Sequence, residues 1–132
     1  MNKIMMALGV AGLVAFGSAQ AMAGECSVAT LKGHYTYWLQ GVGADGKGFA
    51  EVGQEHYDGA GKVVNNAAVA GTSKIETTAG TYTVNDDCSG TATYESGGTY
   101  NFFVAPSGDS FVFTSSKEGT IEAGENTRVA ND

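Results

Sequence analysis

The chain has 132 residues, with 7 Lys+Arg against 14 Asp+Glu and a formal charge of −7. That leaves room for one small domain and no separate cofactor domain, and it argues against nucleic acid or an anionic membrane as partner, since both select clustered Lys and Arg. Twenty glycines and a single proline point to many turns between short strands, while two histidines, two cysteines and one tryptophan leave little material for chemistry.

Met1-Asn2-Lys3 is a short positive start, and Ile4 to Phe16 is an apolar stretch. Ser18-Ala19-Gln20-Ala21-Met22-Ala23 then offers small-x-small cleavage after Ala21 or Ala23. Residues 1–23 are therefore expected to be a signal peptide of a secreted or periplasmic protein, with the folded domain over 24–132. The apolar run is too short to span a bilayer, and no later segment is apolar enough to do so. Glu25 stands before Cys26 where a lipidation signal wants a small residue, which excludes a lipoprotein.

An even cysteine count in an oxidising compartment predicts one bridge, Cys26–Cys88. There is no C-x-x-C, and only His34 and His56 are available to complete a metal set, so neither metal nor cofactor is expected. Cys26–Leu31 leads into the first strand as a single turn. Period-two alternation, broken by Gly, Asp, Asn and Ser clusters, then predicts eight strands at about 34–42, 48–57, 62–73, 80–85, 90–96, 99–105, 110–115 and 119–128. The links are short turns such as Ala44-Asp45-Gly46-Lys47-Gly48 and Asp58-Gly59-Ala60-Gly61. Links this short join only antiparallel neighbours, so the expected fold is all-β, a single eight-stranded antiparallel up-and-down β-barrel.

The alternation also sorts the faces. Tyr35, Tyr37 and Leu39 share one side of the first strand, followed by Tyr82 and Val84, Ala92 and Tyr94, Tyr100, Phe102 and Val104, Phe111 and Phe113, and Ile121 and Ala123. Gathered inside, they make an aromatic interior under a threonine-rich exterior, and their phenolic hydroxyls need partners in each other, water or a ligand.

The stretches Cys26-Ser27-Val28-Ala29-Thr30-Leu31-Lys32-Gly33-His34-Tyr35, Tyr57-Asp58-Gly59-Ala60-Gly61-Lys62-Val63 and Gly80 to Thr91 resemble a group of small secreted bacterial β-barrel proteins. That group is similar to allene oxide cyclase-like and, more loosely, lipocalin-like barrels. The resemblance implies a barrel with an interior for apolar small molecules, some relatives catalysing a cyclisation there. The lipocalin Gly-x-Trp signature is missing, since Trp38 lies five residues beyond Gly33, and one tryptophan is too few for a biotin-binding barrel. A polar outer face and the ending Ala130-Asn131-Asp132 argue against membrane insertion as an outer-membrane barrel.

The second strand leaves two inward sets: Phe49, Glu51, Gly53, Glu55 and Tyr57, or Ala50, Val52, Gln54 and His56, with a bulge at Gly53 as a way to change faces. Glu51 and Glu55 stand about 13 Å apart along a strand at roughly 3.3 Å per residue, beyond the reach of a glycosidase carboxylate pair. One buried Glu with a raised pKa near a tyrosine hydroxyl is the weak catalytic candidate. Against it, the cost of burying unpaired charge favours both carboxylates at a barrel mouth or outside. His34 and His56 read as separate surface residues, and Asp86-Asp87 as a solvated loop. Trp38, with Phe103 and Val112 on the same outer face, offers a patch for a partner or a homo-oligomer.

The expected function is binding of a small, largely apolar molecule inside the barrel. Tyr35, Tyr37, Tyr82, Tyr94, Tyr100, Phe102, Phe111 and Phe113 are the contact residues, with Glu51 or Glu55 as polar anchor. One alternative is a barrel filled by those same side chains and acting through its surface. The other is a cofactor-free cyclase or isomerase built on one carboxylate.

Overall fold

Eight strands close on themselves in the computed structural model, which describes residues 25–132. The expected leader therefore lies outside the described residues. A 3-10 turn, Val28–Thr30, precedes β1 (Lys32–Val42), β2 (Gly48–Asp58), β3 (Lys62–Val69) and β4 (Ile75–Val84). β5 (Ser89–Tyr94), β6 (Thr99–Val104), β7 (Ser110–Ser115) and β8 (Ile121–Ala130) complete the barrel. Each strand pairs antiparallel with its sequence neighbour, and β8 returns to β1. Closure leaves no edge strand among the described residues.

The predicted alternation holds in β1, β5, β6 and β7, where Tyr35, Tyr37, Leu39, Ala92, Tyr94, Phe102, Val104 and Phe111 are buried. Their strand neighbours face solvent, threonines prominent among them: Thr83 and Thr91 share a hydroxyl hydrogen bond of 2.8 Å on the outside. The bridge Cys26–Cys88 is formed, with its Cα atoms 5.0 Å apart.

Three departures from the sequence reading stand out. β3 ends at Val69, because the amide of Thr72 donates to the Val69 carbonyl and Gly71 turns with positive φ. β4 begins five residues earlier than expected, at Ile75, in a stretch with no apolar alternation because both of its faces are wet at the barrel's end. In β8 the faces are reversed. Ile121 is 76% exposed and Ala123 also faces out, while Glu122, Gly124 and Asn126 are buried, with Arg128 on the same side. An apolar pair marks the solvent side here because the inward polar groups find partners.

One end of the barrel is sealed. Leu31 and Tyr35 are fully buried, and Tyr82 donates to the Leu31 carbonyl at 2.8 Å, tying β4 to the 3-10 turn that the disulfide anchors. The Tyr35 hydroxyl donates to the Gly108 carbonyl at 2.5 Å. Arg128 donates to that hydroxyl, to the Thr30 carbonyl and to Asp109, with its guanidinium carbon 5.5 Å from the centre of the Tyr35 ring.

Candidate functional site

Above this floor the barrel encloses a cavity of about 590 Å³. It extends towards the end formed by the loops 43–47, 70–74, 95–98 and 116–120, with Val69, Glu76, Ser96 and Gly98 among its outermost lining. An eight-stranded barrel is just wide enough to be filled by its own side chains or to hold one small ligand. What clears the space here is a repeated cross-strand pairing of an inward glycine with an aromatic ring. Tyr37 stands opposite Gly53, Tyr94 opposite Gly80, Phe102 opposite Gly90 and Phe113 opposite Gly124. Each ring lies over its glycine so closely that a Cβ there would approach ring atoms within 2.3–2.9 Å. The rings thus lie along the wall, the geometry known as aromatic rescue of a strand glycine.

β2 runs in unbroken register with both neighbours, so there is no bulge at Gly53. Glu51, Gly53, Glu55 and Tyr57 are consequently the inward set, and Val52, Gln54 and His56 lie on the other face. This corrects the expectation that both carboxylates sit solvated at a mouth or outside: Glu55 is 5% exposed, and Glu51 is half-buried in the cavity wall. Glu55 accepts from the Tyr57 hydroxyl at 2.8 Å, from Asn126 Nδ2 at 2.9 Å and from the Tyr94 hydroxyl. Three donors offset much of the cost of removing a carboxylate from water. Glu51 accepts from the Tyr37 hydroxyl.

Burial pushes the Glu55 carboxyl above its ordinary range, against the opposing pull of Tyr94, Tyr57 and Asn126. Burial likewise raises the hydroxyls of Tyr57 and Tyr94, and the adjacent Glu55 charge adds to it. Glu122 is also pushed up by burial, with the Tyr100 hydroxyl opposing, and Tyr100 is raised by burial and by Glu122. The phenols of Tyr37, Tyr57 and Tyr94 therefore find partners inside the wall, and those partners are carboxylates. Two acceptors are left over: Asn65 Oδ1 and Asn126 Oδ1 are buried, have no hydrogen-bond partner and belong to cavity-lining residues.

Of the eight contact residues read from the sequence, Tyr37, Tyr94, Tyr100, Phe102, Phe111 and Phe113 line the cavity. Tyr35 and Tyr82 do not; their hydroxyls are spent on floor carbonyls. The sequence reading missed Asn65, Glu122 and Asn126. Their only signal is a polar residue at an inward position of the alternation, and in β8 the apolar pair Ile121 and Ala123 masks it.

His34 and His56 are on the outer surface as expected, but they are register partners across β1 and β2. Their rings lie 4.6 Å apart, and His56 Nε2 is 2.7 Å from Asp132 Oδ1. Trp38, Val52, Phe103 and Val112 are each about half exposed or more, with Glu125 set between Trp38 and Val112 in the register. No protein-family model matches the chain, and no curated protein is significantly similar to it.

Proposed function

We propose that this barrel binds one small, largely apolar molecule in its lumen, held by aromatic walls and oriented by the Glu55 cluster. The observation that carries this reading is the cavity itself, cleared by four glycine–aromatic pairs in a barrel that could have been packed solid. Apolar walls with a few convergent polar groups are the usual make-up of a ligand site. The cyclase alternative needs a carboxylate free to exchange a proton with substrate, whereas Glu55 already accepts from three side chains. That occupancy favours binding and orientation over acid–base turnover. We further propose that the protein is exported, in keeping with the expected leader and with the resemblance to small secreted barrels. The Cys26–Cys88 bridge is compatible with an extracellular location.

The test is uptake of the apolar fluorophore N-phenyl-1-naphthylamine by the oxidised protein. One molecule per barrel is expected. Ala67→Phe, which places a ring in the cavity wall, should abolish uptake, and Trp38→Ala on the outside should leave it unchanged. Uptake that survives Ala67→Phe, or is lost with Trp38→Ala, places the fluorophore on the surface and overturns the reading.

A further inference from the structure

Aromatic rings are apolar in bulk but carry negative charge on their faces. The lumen adds to this. Glu51, Glu55 and, at its outer end, Glu76 line it, and Glu122 is buried at the same end beside Tyr100. Among the lining residues there is no lysine, arginine or histidine. Arg128 belongs to the floor, held by Asp109, the Tyr35 hydroxyl and the Thr30 carbonyl. Lys47, Lys74 and Lys117 stand outside the lining, in the 43–47, 70–74 and 116–120 loops of the rim.

The hydrogen-bonding inventory is lopsided in the same sense. Every donor accounted for in the Glu55 cluster is already given to a carboxylate, by Tyr57, Tyr94 and Asn126, and Tyr37 gives its own to Glu51. The unpartnered Oδ1 atoms of Asn65 and Asn126 are closed off from the lumen as well as from water. A fatty acid or other anion would bring further acceptors and a like charge into this space.

We infer that the lumen selects an organic cation: a protonated amine on an apolar or aromatic body. Its ammonium lies between Glu51 and Glu55, while the body contacts the Phe102, Phe111 and Phe113 side of the wall. An ammonium has three donors and no acceptor, which matches a wall whose only charged groups are carboxylates. The faces of Tyr37, Tyr94 and Tyr100 add cation–π attraction in a desolvated setting. The inference rests on the lumen-binding reading and narrows it to one charge class.

Calorimetric titration of the oxidised protein with tryptamine, tryptophol and indole-3-acetate isolates the head group, because the three share an indole body. Tryptamine is expected to bind at least about tenfold tighter than either of the others, the ratio expected of a charged hydrogen bond. Glu55→Gln should erase most of that preference. Glu51→Gln, in a half-buried side chain with one partner, carries the same test if the Glu55 variant does not fold. Equal affinities, or a preference for indole-3-acetate, overturn the cation assignment and leave lumen binding intact. No heat from any of the three, together with no uptake of the neutral fluorophore, overturns both.

Discussion

The Tyr37 ring lies flat over Gly53, its register partner on the next strand, and a Cβ on Gly53 would come 2.5 Å from Tyr37 Cε1 and 2.5 Å from the Asn66 carbonyl oxygen. The backbone oxygen cannot move without breaking register, so the ring would have to lift into the lumen. Gly53→Ala is therefore expected to cost about 1–3 kcal/mol, the usual range for overpacking, and to shrink the cavity as well. Urea denaturation reads the first effect and fluorophore uptake the second. Thr93→Ala, on the exposed face of β5, is the control and should stay within about 0.5 kcal/mol. A Gly53 variant as stable as that control would mean the ring has room the structure does not give it.

Burial holds the Glu55 carboxyl above its ordinary range, and a raised carboxyl has a definite signature in stability against pH. Its contribution is full below the unfolded-state pKa and is lost as pH rises through the folded one. Glu55→Gln removes that loss. Its amide can be accommodated, because Asn126 has an unused Oδ1 and can turn to accept from it. The melting temperature of the variant minus that of the native protein should therefore increase from about pH 4 to about pH 7. A difference that shrinks over that interval would show Glu55 stabilised as the anion.

All six tyrosines are raised above the ordinary phenol value, with burial as the first cause in each. Phenols that ionise more readily in the unfolded chain drain stability as pH rises past about 10. Absorbance at the phenolate band should accordingly stay flat through that region and then rise in one step with loss of the folded circular-dichroism signal. A smooth titration ahead of unfolding would count against the enclosed hydroxyls.

The disulfide closes a separation of 62 residues and secures the turn that plugs the floor. Replacing both cysteines by serine should cost about 4 kcal/mol on the chain-entropy account. Amide exchange should speed up first at Tyr82, whose N–H bonds the Gly61 carbonyl beside that turn, and more slowly at β7 and β8. Uniform acceleration would mean the floor is not a separate unit.

Where one face is oily and the other wet, the sequence was readable: Tyr35-Thr36-Tyr37-Trp38-Leu39 and Tyr100 to Val104 declare their sides, and the short turns between strands dictate the barrel. Glu55 was harder because its burial is made affordable by Tyr94 and Asn126, which lie 39 and 71 residues further along the chain. No local pattern prices a carboxylate against donors that only closure of the barrel delivers. β8 failed for the same reason, since Glu122, Asn126 and Arg128 point inward to partners on other strands. Tyr35 and Tyr82 were rightly placed inside, but their service to the floor depends on a turn whose docking no alternation signals.

The sealed end and the lumen's outer end draw on different loops. The 3-10 turn, the disulfide and the connections at 58–61, 85–88 and 105–109 gather at the sealed end, while 43–47, 70–74, 95–98 and 116–120 ring the other. Loops tolerate insertion and substitution far better than the strands they join. Four segments can therefore change in length or charge, and reshape the mouth of the cavity, without disturbing the register that keeps the rings against the wall. The rim of such a barrel can diverge while its frame is inherited unchanged.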